Sequence, residues 1–266
     1  MTLIDIIMTN NNSCISAVII TYNEERNIRR CIESIVNIVD EIIVIDSNSS
    51  DSTEVIVNCF PKTVFIKQEW LGYSGQKNFG HSIAKYDWIL SIDADEELSA
   101  PLQKSLLDIK SVLVSTNNDT VFSMDLLNNY CGKWIHYCGW YPDTKIRLFN
   151  KQFAKWKGEL HEELDFATSV RYKHLSGVLN HYSYSSVTEH YLKSKKYSEI
   201  SAEFLFNAGK KSSWFKIWFN SKWTFFRKFI LQRGFMDGYY GYIICRISAF
   251  SNFYKYVCLK EKNDSV

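Results

Sequence analysis

Three apolar runs rich in β-branched residues, Ser16-Ala-Val-Ile-Ile-Thr21, Glu41-Ile-Ile-Val-Ile-Asp46 and Trp88-Ile-Leu-Ser-Ile92, each stop at a polar cluster. They are too short for free-standing helices and read as buried strands. After the first, Ile28, Cys31, Ile32, Ile35 and Val36 recur at helical spacing, and after the second Val55, Ile56 and Cys59 do the same. A short run at 64–66 and a helix over about 76–84 complete a β-α-β-α series. Such alternation implies an α/β fold with a mostly parallel sheet and helices on both faces. In these sheets ligands bind outside the carboxyl ends of the strands. Thr21-Tyr-Asn-Glu24, Asp46-Ser-Asn48 and Asp93-Ala-Asp95 all fall there, so three strand ends converge on one crevice.

Asp93 and Asp95 stand two apart, a spacing that lets both face the crevice. Carboxylates crowded together repel unless a cation neutralises them, and hard oxygen ligands suit Mg²⁺ or Mn²⁺. The competing reading is an acidic helix start, with Ser99-Ala-Pro101 close behind. No Gly-x-Gly-x-x-Gly follows the first strand and no Gly-x-x-x-x-Gly-Lys-Ser/Thr occurs, which removes support for dinucleotide and P-loop sites. Asp46 has two readings: a carboxylate that hydrogen-bonds a ribose or base, or a local turn former.

The formal net charge of +2 hides an asymmetry. Residues 1–130 carry 18 Asp/Glu against 9 Lys/Arg, whereas residues 190–234 carry 10 Lys/Arg against 2 Asp/Glu. Seven cysteines without a Cys-x-x-Cys pair argue for free thiols in a reducing compartment, with Cys131 and Cys138 packing rather than ligating metal. Residues 1–12 have no basic leader and read as neither signal peptide nor span, and residues 1–13 are expected to be a flexible tail.

Four motifs, Ser16-Ala-Val-Ile-Ile-Thr-Tyr-Asn-Glu-Glu, Ile45-Asp-Ser-Asn-Ser-Ser-Asp-Ser-Thr, Gly75-Gln-Lys-Asn-Phe-Gly and Ile92-Asp-Ala-Asp-Glu-Glu, closely resemble the family 2 inverting glycosyltransferases of the GT-A fold. The chain looks like the bacterial lipopolysaccharide-core glucosyltransferase group within them. The resemblance implies a metal-dependent transferase that uses Mn²⁺ or Mg²⁺ and moves a hexose, glucose from UDP-glucose, onto a lipid-linked saccharide such as an inner-core heptose. By the same resemblance Thr21, Tyr22, Glu24 and Asp46 would hold the uridine, Lys77 would lie near the nucleotide or its phosphates, and Asp93 and Asp95 would bind ribose and metal. Lys77 could equally be an exposed helix lysine. The Trp156-Lys-Gly-Glu-Leu-His-Glu-Glu163 stretch resembles the base-bearing loop. An inverting transfer needs one base to take the acceptor proton; Glu162 is the choice and Glu163 the runner-up. His181 is a candidate third metal ligand by similarity. Arg147 either clamps phosphate or pairs at the surface, on one face with Lys145.

The expected catalytic domain covers residues 14–186, with a nucleotide-binding half to 98 and an acceptor half from 99. The aromatics between 130 and 156 are read mainly as core. Residues 187–266 form a helical extension. Within 210–233, the eighteen residues 214–231 place apolar side chains over about half of a helix circumference, with Lys216, Arg227 and Lys228 on the other side and Lys222 interrupting the arc. Four cations make spanning a bilayer costly, so the segment reads either as an interfacial helix drawn to an anionic membrane surface or as a helix packed on the catalytic domain. The tail after Gln232 resembles that of the same glucosyltransferases, which implies a cytoplasmic enzyme peripheral on the inner face of the membrane. Its aromatics lie on an amphipathic helix rather than a strand platform, which argues against nucleic acid.

Overall fold

The computed structural model describes residues 13–158 and 162–265. The tail expected over 1–13 thus falls, except for Ser13, outside the described residues. The first half runs β1 (Ile15–Thr21), α1 (Ile28–Ile35), β2 (Glu41–Asp46), α2 (Thr53–Val57), β3 (Thr63–Lys67), α3 (Tyr73–Ile83) and β4 (Trp88–Asp93). β3, β2, β1 and β4 lie side by side in that order, all parallel. Thr21 is level with Asp46, and Ile20 with Asp93, so the three strand ends open on one edge.

Alternate residues of β1 enter different layers, as the two-residue period of a strand requires. Ile15, Ala17 and Ile19 pack in one layer with Ile28, Cys31, Ile32 and Ile35 of α1, while Val18 packs in the other with Ile43, Ile45 and Ala84. Helices therefore cover both faces. α3 lies close against the sheet because residue 80 is glycine: a Cβ there would come within 2.4 Å of a Val18 methyl.

After β4 the order is β5 (Glu96–Leu98), α4 (Ala100–Lys110), β6 (Thr120–Tyr130), β7 (Lys133–Ile135), β8 (Asp143–Asn150), β9 (Ala154–Lys157), β10 (Glu163–Phe166) and β11 (Arg171–Tyr184). The sheet continues from β4 through β8, β6 and β11 to β5. β8 runs antiparallel to β4, as β11 does to β5. The chain therefore has the expected GT-A-type α/β fold, with β3, β2, β1 and β4 of the nucleotide-binding half in parallel. Asp95 to Glu97 do not start a helix; Glu96 and Glu97 belong to β5, and α4 begins only after Ser99.

Three α-helices follow among the described residues: α5 (Val187–Asn207), α6 (Trp214–Phe226) and α7 (Gly238–Asp264). The chain divides into two compact units, one of residues up to 126 and 144–181, the other of 127–143 and 182 onward. Residues 127–143, expected with the acceptor half, pack with the helices. Tyr130, Ile135, Cys138, Ile244 and Cys245 form the second unit's core. Asp237 is buried and accepts hydrogen bonds from the amides of His136 (3.3 Å) and Tyr137 (2.9 Å). None of the seven cysteines forms a disulfide, and Cys138 sits in this core as a packing residue.

α5 buries His190, Ser198 and Ala202, while Tyr191 and Lys195 are exposed. α6 departs further from a packed amphipathic helix. It buries Ile217 and Thr224, and turns Trp214, Phe215, Trp218, Phe219, Trp223 and Phe226 outward. Among the described residues no helix is long and apolar enough to cross a membrane.

Candidate active site

The loops after β1 and β2 are laced to each other. The Asn23 amide donates to Ser49 Oγ (2.7 Å) and Ser50 N to Asn23 Oδ1 (2.8 Å). The Glu24 amide reaches Thr53 Oγ1 (2.9 Å), and Glu25 N reaches Asp51 Oδ2 (3.0 Å). Asn23 and Asn48 adopt left-handed backbone, a conformation that asparagine tolerates better than most residues. These bonds satisfy loop amides that would otherwise be orphaned and fix the crevice floor without a ligand.

On that floor Thr21 is buried with its hydroxyl unpartnered, while Tyr22 is 60% exposed. Glu24 accepts from Asn27 Nδ2 (2.7 Å). Asp46 is fully buried; its carboxylate accepts from Ser49 N (2.7 Å) and from Ser49 Oγ, so it forms the turn after β2. The turn-forming reading of Asp46 therefore holds in this structure, with its ligand role left to its position at the crevice edge.

α3 presents successive residues to different partners. Gln76 is buried and donates to Ser47 Oγ (2.8 Å), which ties the helix to the loop after β2. Asn78 exchanges hydrogen bonds with the Trp156 backbone, donating from Nδ2 (2.9 Å) and accepting from N (3.0 Å). Between them Lys77 is 2% exposed, so the exposed-lysine reading fails. Its ammonium lies 3.1 Å from Asp93 Oδ1 and 3.0 Å from Glu162 Oε2, and 4.7 Å from the Trp156 ring centroid. A buried ammonium is tolerated only with such compensation.

Arg147 is not at the surface, a second correction. It is buried, donates from Nη2 to Asp93 Oδ2 (3.1 Å), and pairs with Glu96, which is itself 1% exposed. The rise in burial along β8 takes Lys145 to solvent and Arg147 into the sheet. Burial alone would raise the pKa of Asp93, but the charges of Lys77 and Arg147 hold it well below the usual carboxylate range. Burial dominates at Glu96 and pushes it up despite Arg147. Glu96 also accepts from the Asp93 amide (3.0 Å), which fixes the turn where β4 ends.

Asp95 points elsewhere. The β5–β11 pairing sets His181 opposite Glu96 and brings its Nε2 within 3.2 Å of Asp95 Oδ2. Burial would lower the His181 pKa, but the hydrogen bond and charge of Asp95 prevail and raise it. Among the described residues no three His, Cys, Asp or Glu side chains form a metal cluster. Asp93, expected as a ligand, does not join Asp95 and His181 because its two oxygens face Lys77 and Arg147. The Asp95 and His181 pair nonetheless fits a divalent cation chemically, as an oxygen and an imidazole donor side by side that leave further positions open.

Glu162 and Glu163 separate clearly. Glu162 is partly buried against Lys77, while Glu163 is exposed at the start of β10, paired with Lys157 through the backbone. His161, the other half of the His-Glu element, lies outside the described residues. Sequence reasoning missed Gln76 and Asn78, and assigned no task to Glu96. A buried amide on either side of a lysine in a Gly-x-x-x-x-Gly helix was the available signal for the first two.

The family model described as Glycosyl transferase family 2 matches residues 16–158, and the chain belongs to that family. It is thus a transferase of glycosyl groups. An uncharacterized glycosyltransferase of Rickettsia bellii is 37% identical over 93% of this chain and 86% of its own length. The lipopolysaccharide core biosynthesis glycosyltransferase LpsC of Rhizobium meliloti is 28% identical over 86% of this chain and 85% of its own. Among solved structures, glucosyl-3-phosphoglycerate synthase of Mycobacterium tuberculosis, in complex with Mn²⁺, UDP and glucosyl-3-phosphoglycerate, is similar at 22% identity and a TM-score of 0.34. That match spans 49% of this chain and 48% of the solved one.

Proposed function

We propose that this chain is a metal-dependent inverting glycosyltransferase that moves glucose from UDP-glucose onto a lipid-linked saccharide, such as an inner-core heptose of lipopolysaccharide. The observation that carries the reading is the meeting of Glu162 and Asp93 on one buried lysine, in a member of a glycosyltransferase family. A carboxylate from the acceptor side of the chain is thereby held beside the strand ends where a nucleotide-sugar donor would lie.

In this reading Tyr22 stacks on the base and the laced loops after β1 and β2 receive the uridine. Asp95 and His181 would hold Mn²⁺ or Mg²⁺, which when bound neutralises pyrophosphate charge in an otherwise acidic crevice. Glu162 accepts the proton of the acceptor hydroxyl as that oxygen attacks the anomeric carbon and the bond from that carbon to UDP breaks, UDP leaving with the electron pair. Lys77 orients Glu162 through their ion pair, and Arg147 keeps Asp93 ionised and fixed. One base on the acceptor side suffices for a single displacement with inversion. The lipid-linked acceptor is supported by the relative named for lipopolysaccharide core biosynthesis.

The test is release of UDP from a panel of UDP-sugars with defined saccharide acceptors, with Mn²⁺, with Mg²⁺ and with EDTA, and with Asp95→Ala as control. Metal-dependent turnover of UDP-glucose that the substitution abolishes is the expected outcome. If no nucleotide sugar binds with metal present, the donor site is wrong. Turnover only with another surface saccharide or a polyprenyl phosphate would keep the enzyme class and replace the acceptor.

A further inference from the structure

We infer that the outward face of α6 docks on the surface of an anionic lipid bilayer. α6 departs from the ordinary division of side chains. Toward α7 it turns Ile217, Phe225 and two polar groups: Phe225 packs against Tyr242, Ser221 donates to the Ala249 carbonyl (3.0 Å), and Asn252 donates to Thr224 Oγ1 (2.7 Å). Its other rings face away, with Trp214 75%, Phe215 69% and Trp218 62% exposed.

These rings form a continuous surface. Phe215 and Phe219 stack at 5.4 Å and 9°, Phe219 and Trp223 at 6.4 Å and 4°, and Trp223 leads on to Phe226 at 5.8 Å. Contiguous exposed apolar surface of this kind marks an interaction site in a folded protein.

Charge selects the occupant. Residues 204–236 contain seven Lys/Arg and no Asp or Glu. Lys228 is turned inward, donating to the Cys138 carbonyl (3.0 Å), but Lys216, Lys222 and Arg227 are exposed beside the rings. A second copy of the chain would set these cations against their own kind in a two-fold contact, with no acid in the segment to meet them. A bilayer with anionic headgroups accepts both features: the rings enter the headgroup and acyl boundary, and the cations stay at phosphate level. This inference is independent of the donor and base assignments above.

The experiment is co-sedimentation of the full chain with vesicles of phosphatidylcholine mixed with phosphatidylglycerol, and with phosphatidylcholine alone, at low and high salt. Binding to the mixed vesicles is expected, weaker by roughly tenfold or more on the neutral ones and at high salt. Lys216→Gln, Lys222→Gln and Arg227→Gln should each weaken it by roughly fivefold, since each cation near such a surface contributes about that factor. Phe215→Ser and Trp218→Ser should weaken it too, and brominated lipid should quench tryptophan emission in the wild type. UDP-glucose binding and thermal unfolding, read on the same samples, should be unchanged, which separates loss of docking from loss of fold or donor site. The inference is overturned if the mixed vesicles do not bind the wild type, or if binding survives these substitutions. It is also overturned if sedimentation shows a dimer or a complex with an acidic protein that Phe215→Ser dissolves while lipid binding persists.

Discussion

Trp88 of β4 and Trp218 of α6 carry the same side chain into opposite settings, the first 2% exposed and the second 62%. The units around them differ in the same way. In the first, apolar residues fill the two layers and charge goes inside as well: Lys77, Arg147, Glu96 and Asp93 form a network beneath the crevice. In the second, a small apolar core is surrounded by rings left outside. Exposed single hydrophobes are ordinary, whereas buried charge and contiguous exposed apolar surface are the informative departures from the usual division. The buried charge network lies in the first unit and the exposed row of rings in the second.

The strongest way to break this comparison is at Glu162. If its contact with Lys77 serves catalysis, Glu162→Gln lowers sugar transfer by about 10²- to 10⁴-fold while UDP-glucose binding stays within a few-fold, and Glu163→Gln leaves transfer nearly intact. Equal losses in both, measured as kcat, would show that the buried network is only structural. Next comes Arg147→Met, which strands Glu96 and leaves Asp93 with Lys77 alone. Removing one side of a buried ion network costs about 3–5 kcal/mol, read as a lower denaturant midpoint, and Glu96→Gln in that background should recover part of the loss.

Gly80→Ala tests whether the close seat of α3 matters. The added methyl forces the helix off Val18, with an expected loss of about 1–3 kcal/mol and weaker donor binding in a titration. The pH dependence sharpens the contrast between the units. Burial depresses His190 in the second unit to about 4 and His81 in the first to about 3. The unfolded chain takes up these protons near pH 6.5, so the stability that the neutral imidazoles contribute is present above that pH and is lost as pH falls toward 4 and below. His190→Phe should flatten the upper part of that slope, and an unchanged slope in urea midpoints between pH 6.5 and 4 would contradict it. The smallest effect is expected at the surface: Trp218→Ala should change stability by no more than about 0.5 kcal/mol, against about 3–5 kcal/mol for Trp88→Ala.

Much of the first unit was legible in its sequence because short-range rules govern it. The end of β2 at Asp46 and of β4 at Asp93 follow from apolar runs that stop abruptly, and the parallel order follows from alternation with helices. The inward turns of Lys77 and Arg147 were not legible. Lysine and arginine are ordinarily exposed, and the partners that compensate their burial are distant in the chain: Glu162 lies 85 residues beyond Lys77, and Asp93 precedes Arg147 by 54. His181 meets Asp95 only because β11 pairs antiparallel with β5 in one register. The rotational setting of α6 was hidden for another reason. An arc of rings marks a face that avoids water, but the pattern alone does not say whether protein or lipid covers it.

The seating of α3 has a consequence for how this scaffold can vary. Because the helix is pinned at Gly80, Gln76, Lys77 and Asn78 are held at fixed angular phases, each aimed at a different segment of chain. The helix therefore works as a reading frame. A residue inserted between 78 and 80 would turn everything upstream of it by about 100° relative to the pin, misaddressing all three side chains in one event. The same residue inserted in the loop before Tyr73 would be absorbed without changing any address. Length variation in this region should thus be tolerated on one side of the helix start and forbidden on the other, a frame rule imposed by a single missing methyl group.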